Sequence, residues 1–600
     1  MRHPFSEILI DTARGARPAD AILHGGRVVD VYTGEVYPAD VAIADGRIAM
    51  VGAVDHLDGP QTQVHDVAGL YLMPGFIDGH QHLEDSRLSV SRFSDTVVPA
   101  GTTSIVSGLD HIAAVAGVAG VRAFLDEADQ CDLTLFWAAP FRLPYTIPPA
   151  TIPTPWTQTE HSVVQAWPEC IGVWELSPGF LENKDPTTLA ALRTAHDRRG
   201  GIYGCVPWVK DDHTALAVHV AAGLVVDHEA YSCEELLVKM RSGLRVMIRD
   251  SPVEHFLPVL IGLFRDRPEL AHLVGFCTDQ LSVRDVLANG HINRLVREAV
   301  ASGIPPVTAV QMATINTAVT YRIDDILGSI TPGRRGDILV ADDLADFTFS
   351  HVFVGGRLVA RDGEMIQPSR PTERPSFLCG PFARPPLVPE DFDLTATGTT
   401  SEALVLNLTD NAFHRTASHR AVPVVAGKLE PDPESDIARV AYVERTGTAA
   451  IPAGVGLVTG FGLTDGALAT SCSPDDENIL CVGRNTADMA LAVNTLLAAG
   501  GGEIVVADGR VVHMLPLPIG GIVCDLAPRI LAEEQHKLVA AASKLGCKLV
   551  NPFMFLGILG ITGIPDYGLS EHGVVEYQQH AVVPVVRAAQ NEATRAGASE

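Results

Sequence analysis

Leu70-Tyr-Leu-Met-Pro-Gly-Phe-Ile77, running into Asp78-Gly79-His80-Gln81-His82, is the stretch on which the fold turns. The run is rich in β-forming residues, is punctuated by Pro74-Gly75, and bends at Asp78-Gly79 just before the histidines. Residues two positions apart at a strand's C-terminal end point to the same side. The two imidazoles can therefore grip one metal ion from the mouth of a barrel. A lone His-x-His is common on protein surfaces. The Pro-Gly-Phe-Ile-Asp-Gly frame and matching residues downstream make this one half of a metal-dependent hydrolytic centre.

Outward from that run, residues 75–336 repeat strand, loop and helix. The strand candidates are Thr103–Ser107, Leu133–Trp137, Gly172–Glu175, Ile202–Cys205, Leu224–His228, Arg245–Arg249 and Val274–Asp279. Helical stretches separate most of them, such as the one opening at Ser232 with Glu234 and Glu235 in its first turn. With the histidine strand they number eight, which predicts an α/β chain built on a (β/α)8 TIM-type barrel. Residues 1–74 instead carry short β-rich pieces with turn signals at Gly25-Gly26 and Asp45-Gly46. Residues 337–366 return to the same style and are expected to complete one small, discontinuous β-sandwich. Proline crowds 367–397, which reads as a linker, and 398–600 reads as an additional C-terminal α+β domain.

Composition narrows the function. The chain has 600 residues, 46% apolar and 19% charged, enough for several packed cores. Its net charge of -28, without a dense Lys/Arg run, disfavours a nucleic-acid partner and remains compatible with a small heterocycle. The ten cysteines show no regular spacing and no Cys-x-x-Cys, so they are expected to be reduced thiols. The same absence excludes the zinc deaminases that use Pro-Cys-x-x-Cys. Met1-Arg-His-Pro-Phe-Ser-Glu-Ile lacks an export pattern, and apolar runs such as Leu216–Val226 are too short to span a membrane. A cytoplasmic homo-oligomer is expected.

Metal-competent residues fall at the ends of the predicted strands: His80 and His82, Glu175, His228 and Asp279. In a barrel these ends converge on one face. Imidazole with carboxylate suits Mn, Fe(II) or Zn, one or two ions per chain. Glu175 is placed to bridge a pair of ions, and Asp279 to take a proton from metal-acidified water and pass it to the leaving group. Each residue also has a plainer reading: Glu175 as an exposed strand end, His228 as a core histidine, Asp279 as the cap of a helix at Val283. The coincidence of residue type and strand-end position favours the catalytic reading of the set.

In this order the residues resemble the adenine deaminases of the amidohydrolase superfamily. The likeness runs through Pro74–Ser86, Gly101-Thr-Thr-Ser, Asp227-His-Glu, Glu234–Leu244, Phe276-Cys-Thr-Asp, Gly290-His-Ile-Asn, Gln311–Asn316 and Gly328–Gly333. It continues in the tail with Leu515-Pro-Leu-Pro-Ile-Gly-Gly and Asn551-Pro-Phe-Met. The resemblance implies water attack at the purine carbon bearing the amino group, giving hypoxanthine and ammonia. It carries over His80, His82, Glu175, His228 and Asp279 as ligands. Three departures stand out. The family's Gly-His-Ala-Pro-Gly is Gly204-Cys-Val-Pro-Trp208, which puts Cys205 at a ligand position, with His213 as a nearby substitute. Its Asp-Pro-His-Glu is Gly108-Leu-Asp-His111. Its His-Asp-Ser-His-Asn is Pro474-Asp-Asp-Glu-Asn478. Glu84, Asp85, Asp110 and His111 are the candidate substrate contacts, and the three departures suggest a shifted substrate. A related amidohydrolase opening a cyclic amide or amidine ring, and a catalytically silent relative, are the competing readings.

Overall fold

The computed structural model describes residues 5–252, 254–370, 372–409, 415–448, 452–474, 476–564 and 566–586. The first four residues of the segment read for an export signal, Asp475 of the tail motif and positions 587–600 of the C-terminal region lie outside them.

Eight parallel strands form the body: β1 (Phe76–Asp78), β2 (Thr102–Ser107), β3 (Thr134–Pro140), β4 (Cys170–Leu176), β5 (Gly201–Gly204), β6 (Leu224–Asp227), β7 (Arg245–Arg249) and β8 (Val274–Cys277). Each pairs in parallel with its sequence neighbour. The barrel closes between β8 and the residues after β1. Gly79 N donates to Phe276 O at 3.1 Å, Asp279 N to His80 O at 2.9 Å, and His82 N to Asp279 O at 2.9 Å. The closure therefore runs through the candidate metal ligands themselves. Ser232 caps the helix Cys233–Arg241 as expected, its hydroxyl accepting from Glu235 N at 3.2 Å.

The opening run is not one strand. Tyr71–Pro74 pairs antiparallel with Ile338–Ala341 in a seven-stranded sheet, whereas Phe76–Asp78 belongs to the barrel. Gly75 is the switch: a Cβ there would stand 2.1 Å from Thr103 Oγ1. Gly25-Gly26 is likewise not a hairpin. Ala21–His24 lies in a four-stranded sheet and Arg27–Val29 in the seven-stranded one, because the chain crosses tightly over Leu72, 2.5 Å from a Cβ on Gly26. Asp45-Gly46 does turn a hairpin, with φ of 53° and 70° joining Asp40–Ala44 to Arg47–Gly52. Strands from both sides of the barrel thus meet in one sheet over a core of Val28, Leu72, Ile338, Val340 and Phe353.

The C-terminal region is built on a nine-stranded sheet that includes Thr400–Asn407 and Gly502–Ala507, covered by the helix Thr486–Ala499. The proline-rich segment before it is docked rather than free. Leu387 and Phe392 are buried against that helix, and Arg374 pairs with Glu127 of the barrel and Asp525 of the C-terminal region.

Candidate metal centre and cleft

At the C-terminal mouth of the barrel, His80 Nε2 and His82 Nε2 stand 3.3 Å apart. Asp279 Oδ1 lies 3.4 Å from the first and 3.5 Å from the second. Three lone-pair atoms so close repel unless a proton or a cation sits among them. Ligands placed tetrahedrally around an ion at roughly 2.0–2.2 Å stand about 3.3–3.6 Å apart, and the triangle matches that spacing. Glu175 and His228 flank it, with Glu175 Oε2 3.1 Å from His80 Nε2 and Oε1 3.8 Å from His228 Nε2. Glu175 Oε2 is buried without a hydrogen-bond donor. The residues present therefore fit a divalent transition metal.

His80 borders both groups but offers one Nε2 lone pair. Among the described residues His80 belongs to two groups of three, one with His82 and Asp279 and one with Glu175 and His228; given to the first, it leaves Glu175 and His228 as a partial second. Cys205 lines the same cleft but joins none of the triads of metal-competent atoms among the described residues. Burial, reinforced by the nearby Glu175 and Glu229 carboxylates, pushes its thiol well above the usual range. A metal would have to draw the proton off. His213 begins a helix on the exposed surface and is not among the residues lining the cleft.

Backbone conformation marks the same residues. Glu175 and Asp279 both adopt left-handed φ, 63° and 58°, where non-glycine residues are uncommon. Such conformations persist where surrounding structure forces them, and they concentrate at functional sites. The plainer reading of Asp279 fails here. The helix beginning at Val283 is capped by Ser282 with Asp285, not by Asp279. His228 is buried, yet its Nε2 faces Glu175 and Glu229 at 3.8 and 3.7 Å.

The four expected substrate contacts are placed elsewhere. Glu84, Asp85, Asp110 and His111 are buried behind the histidines and do not line the cleft. Asp110 Oδ1 pairs with His82 Nδ1 at 3.2 Å, the carboxylate–imidazole contact that fixes a ligand's tautomer and leaves Nε2 for the metal. Burial alone would raise Asp110; the His82 imidazole overrides it and holds the carboxyl below its usual range. Glu84 Oε1 accepts from Ile112 N at 3.3 Å, securing the same helix start.

The cleft, about 690 Å³ counted out to solvent, has walls that sequence reasoning did not single out. Trp208 and Tyr231 stack with ring centroids 5.0 Å apart. Arg249 Nη1 reaches Asp279 Oδ2 at 2.9 Å and pairs with Glu229, whose Oε2 accepts from Tyr231 at 2.9 Å. Burial, opposed by Arg249, raises the Glu229 carboxyl to about 8. The C-terminal region supplies Pro474, Ile561, Gly563 and Ile564 to the same cleft.

Two departures from the resembled pattern acquire a physical reason. A side chain at Gly108 would collide with Trp174, 2.1 Å from its Cδ1, and that indole stacks on His80 at 4.0 Å. The tail motif closes onto the barrel: Asp476 Oδ1 accepts from Tyr145 N at 3.0 Å, Asn478 Nδ2 donates to Thr151 O at 3.0 Å, and Glu477 Oε1 meets His111 Nδ1 at 3.2 Å. Where the pattern has Glu in the barrel and His in the tail, this chain has His111 and Glu477. The acid and the imidazole have changed places across one contact.

Residues 263–359 match the amidohydrolase family and residues 413–581 the adenine deaminase C-terminal domain. A protein named adenine deaminase 1 from Desulfotalea psychrophila is 42% identical over 571 residues, covering 95% of this chain and 96% of that protein. One named adenine deaminase 4 from Rhizobium meliloti is 42% identical over 574 residues, with 95% of each chain covered. A beta-aspartyl dipeptidase structure from Fervidobacterium islandicum AW-1 aligns over 58% of this chain and 99% of its own, at 18% identity and a TM-score of 0.44. The chain belongs to the adenine deaminase family.

Proposed function

We propose that the protein hydrolyses adenine to hypoxanthine and ammonia at the centre formed by His80, His82 and Asp279. The observation that carries this reading is the complete His–His–Asp triangle at the barrel mouth of a chain that aligns over 95% of its length with a protein named adenine deaminase. His80, His82 and Asp279 would hold a manganese, iron or zinc ion, which would supply the Lewis acidity that makes a water proton available near neutral pH. Asp279 takes that proton on its carboxylate and delivers it to the departing nitrogen as the oxygen adds to the amino-bearing carbon and the C–N bond breaks. Arg249 holds the other oxygen of Asp279 at 2.9 Å and so aims the carboxylate. Glu175, with His228, stands ready to share a second ion, and Cys205 is the candidate third ligand there. Trp208 and Tyr231 offer an aromatic wall to a flat base, and Ile561, Ile564 and Pro474 add apolar lining from the C-terminal region.

Completeness of the first triangle without Cys205 speaks against a silent relative, and nothing in the cleft favours ring opening. The test is direct. Metal-loaded protein given adenine should release ammonia stoichiometrically with the purine absorbance shift. Turnover of a lactam or cyclic imide, with neither signal from adenine, overturns the assignment.

A further inference from the structure

We propose that Glu477, delivered by the C-terminal region, is a positioning residue for the metal centre and acts on His82 through His111. This rests on the reading of His80, His82 and Asp279 as metal ligands. His82 is oriented by two consecutive residues at the start of one helix, Asp110–Ala128. Asp110 holds its Nδ1, and His111 lies against its ring with centroids 5.3 Å apart and planes 24° from parallel. Asp110 has its partner within the barrel. His111 has its close partner outside it: Glu477 Oε1 at 3.2 Å, with Asp85 more distant at 4.0 Å.

Glu477 is itself held rigidly. It is fully buried, its backbone sits at a left-handed φ of 57°, and its other carboxylate oxygen accepts from Ser473 N at 3.1 Å. It does not line the cleft, so it has no route to the substrate. Burying a carboxylate at an interface is costly unless it is compensated, and here the His111 imidazole packed on His82 stands 3.2 Å away, with Arg445 and Arg87 adding attraction. A second strut runs parallel, with Arg87 Nε donating to Glu503 Oε1 at 2.9 Å and Arg87 Nη1 reaching Asp85 Oδ1 at 3.3 Å. The C-terminal region thus sets the rotation of the His82 ring without touching the reacting atoms.

The test uses the full chain loaded with cobalt(II), whose visible absorption reports ligand geometry independently of turnover. Glu477→Gln preserves shape and removes the charge; Glu477→Ala removes both. Each should weaken the first cobalt equivalent by about 10- to 100-fold and shift its absorption band. On adenine, kcat should fall while KM stays within about twofold, since the cleft walls are untouched. His111→Glu alone, which sets two acids face to face, should do the same. Combined with Glu477→His, it should recover affinity and spectrum to within about threefold. Variants that lower the melting temperature but keep wild-type cobalt affinity and spectrum overturn the positioning role. A wild-type chain that takes up no cobalt overturns this inference and the proposed function together. A wild type that binds while Glu477→Gln and Glu477→Ala match it overturns this inference alone.

Discussion

Asp279 does three things at once: its main chain closes the barrel, its Oδ1 faces both histidines, and its Oδ2 meets Arg249. Asp279→Asn keeps the shape and removes the proton acceptor, so kcat should fall about 10²- to 10⁴-fold with the far-ultraviolet spectrum unchanged. His82→Ala should lose the metal instead, seen as less than one ion per chain by elemental analysis. Near-native rates in either variant place the chemistry elsewhere. Cys205→His should leave the first metal equivalent unaltered and tighten the second, because an imidazole needs no deprotonation at neutral pH whereas this buried thiol does. A titration in which neither equivalent changes removes residue 205 from the second site. The residues gathered at the barrel mouth were legible in the sequence because strand ends converge by topology, whatever their separation along the chain. Arg249, Trp208 and Tyr231 were not, because an arginine in Val-Met-Ile-Arg or a tyrosine beside a helix cap carries no signal until the loops are folded. His111 and Glu477 misled for a related reason: each looked like a lost motif, and only contact showed one exchange.

At the scale of elements, the loops after β5 and β6 are fixed by one buried cation. Lys239 Nζ donates to Asp227 Oδ1 at 2.9 Å and lies 3.2 Å from Glu235 Oε1. Asp227 in turn accepts from Val206 N at 2.6 Å, and Glu235 from Val209 N and Tyr231 N at 3.2 Å each. Lys239→Met leaves two carboxylates uncompensated and should cost about 3–5 kcal/mol in chemical denaturation. Amide exchange should accelerate first at Val206, Val209 and Tyr231; unaltered exchange there separates the lysine from the loops. The helix Gln158–Val164 carries a different liability. Burial pulls its His161 down to about 4, against roughly 6.5 in the unfolded chain. The unfolded state therefore binds the proton first. This contribution is complete above about pH 6.5 and is lost as pH falls to about 4, amounting to about 3 kcal/mol. Between those limits the denaturation midpoint of His161→Gln should fall less steeply than that of the wild type, and parallel slopes would assign the acid sensitivity to other groups. Elements of this kind were readable where caps and turns are local, as at Ser232 and Asp45-Gly46. They were misread at Gly25-Gly26 and Gly75, where the glycine serves a crossing between sheets that periodicity along one strand cannot reveal.

For the whole molecule, the question is whether the barrel can work without the C-terminal region. The two share one contiguous apolar cluster that includes Phe93, Ile112, Leu517, Ile522 and Phe555. Leu88 bridges to Cys524, and the loop after β3 is held through Ile147 N to Thr562 Oγ1 at 2.8 Å and Thr151 Oγ1 to Glu571 Oε1 at 2.8 Å. A chain ending at residue 397 would therefore expose that apolar face, strip Glu503 from Arg87 and Glu477 from His111, and open the cleft on the side of Ile561 and Ile564. Exposed patches of that extent drive association. Such a fragment is expected to aggregate, or to run as an expanded species on gel filtration with metal affinity lost. The full chain should instead melt in a single calorimetric transition, because neither part keeps a complete core once the other has opened. A soluble 1–397 fragment that binds metal and deaminates adenine at the full-length rate would show that the tail is a separate module, and two resolved transitions in the intact chain would show the same by another route.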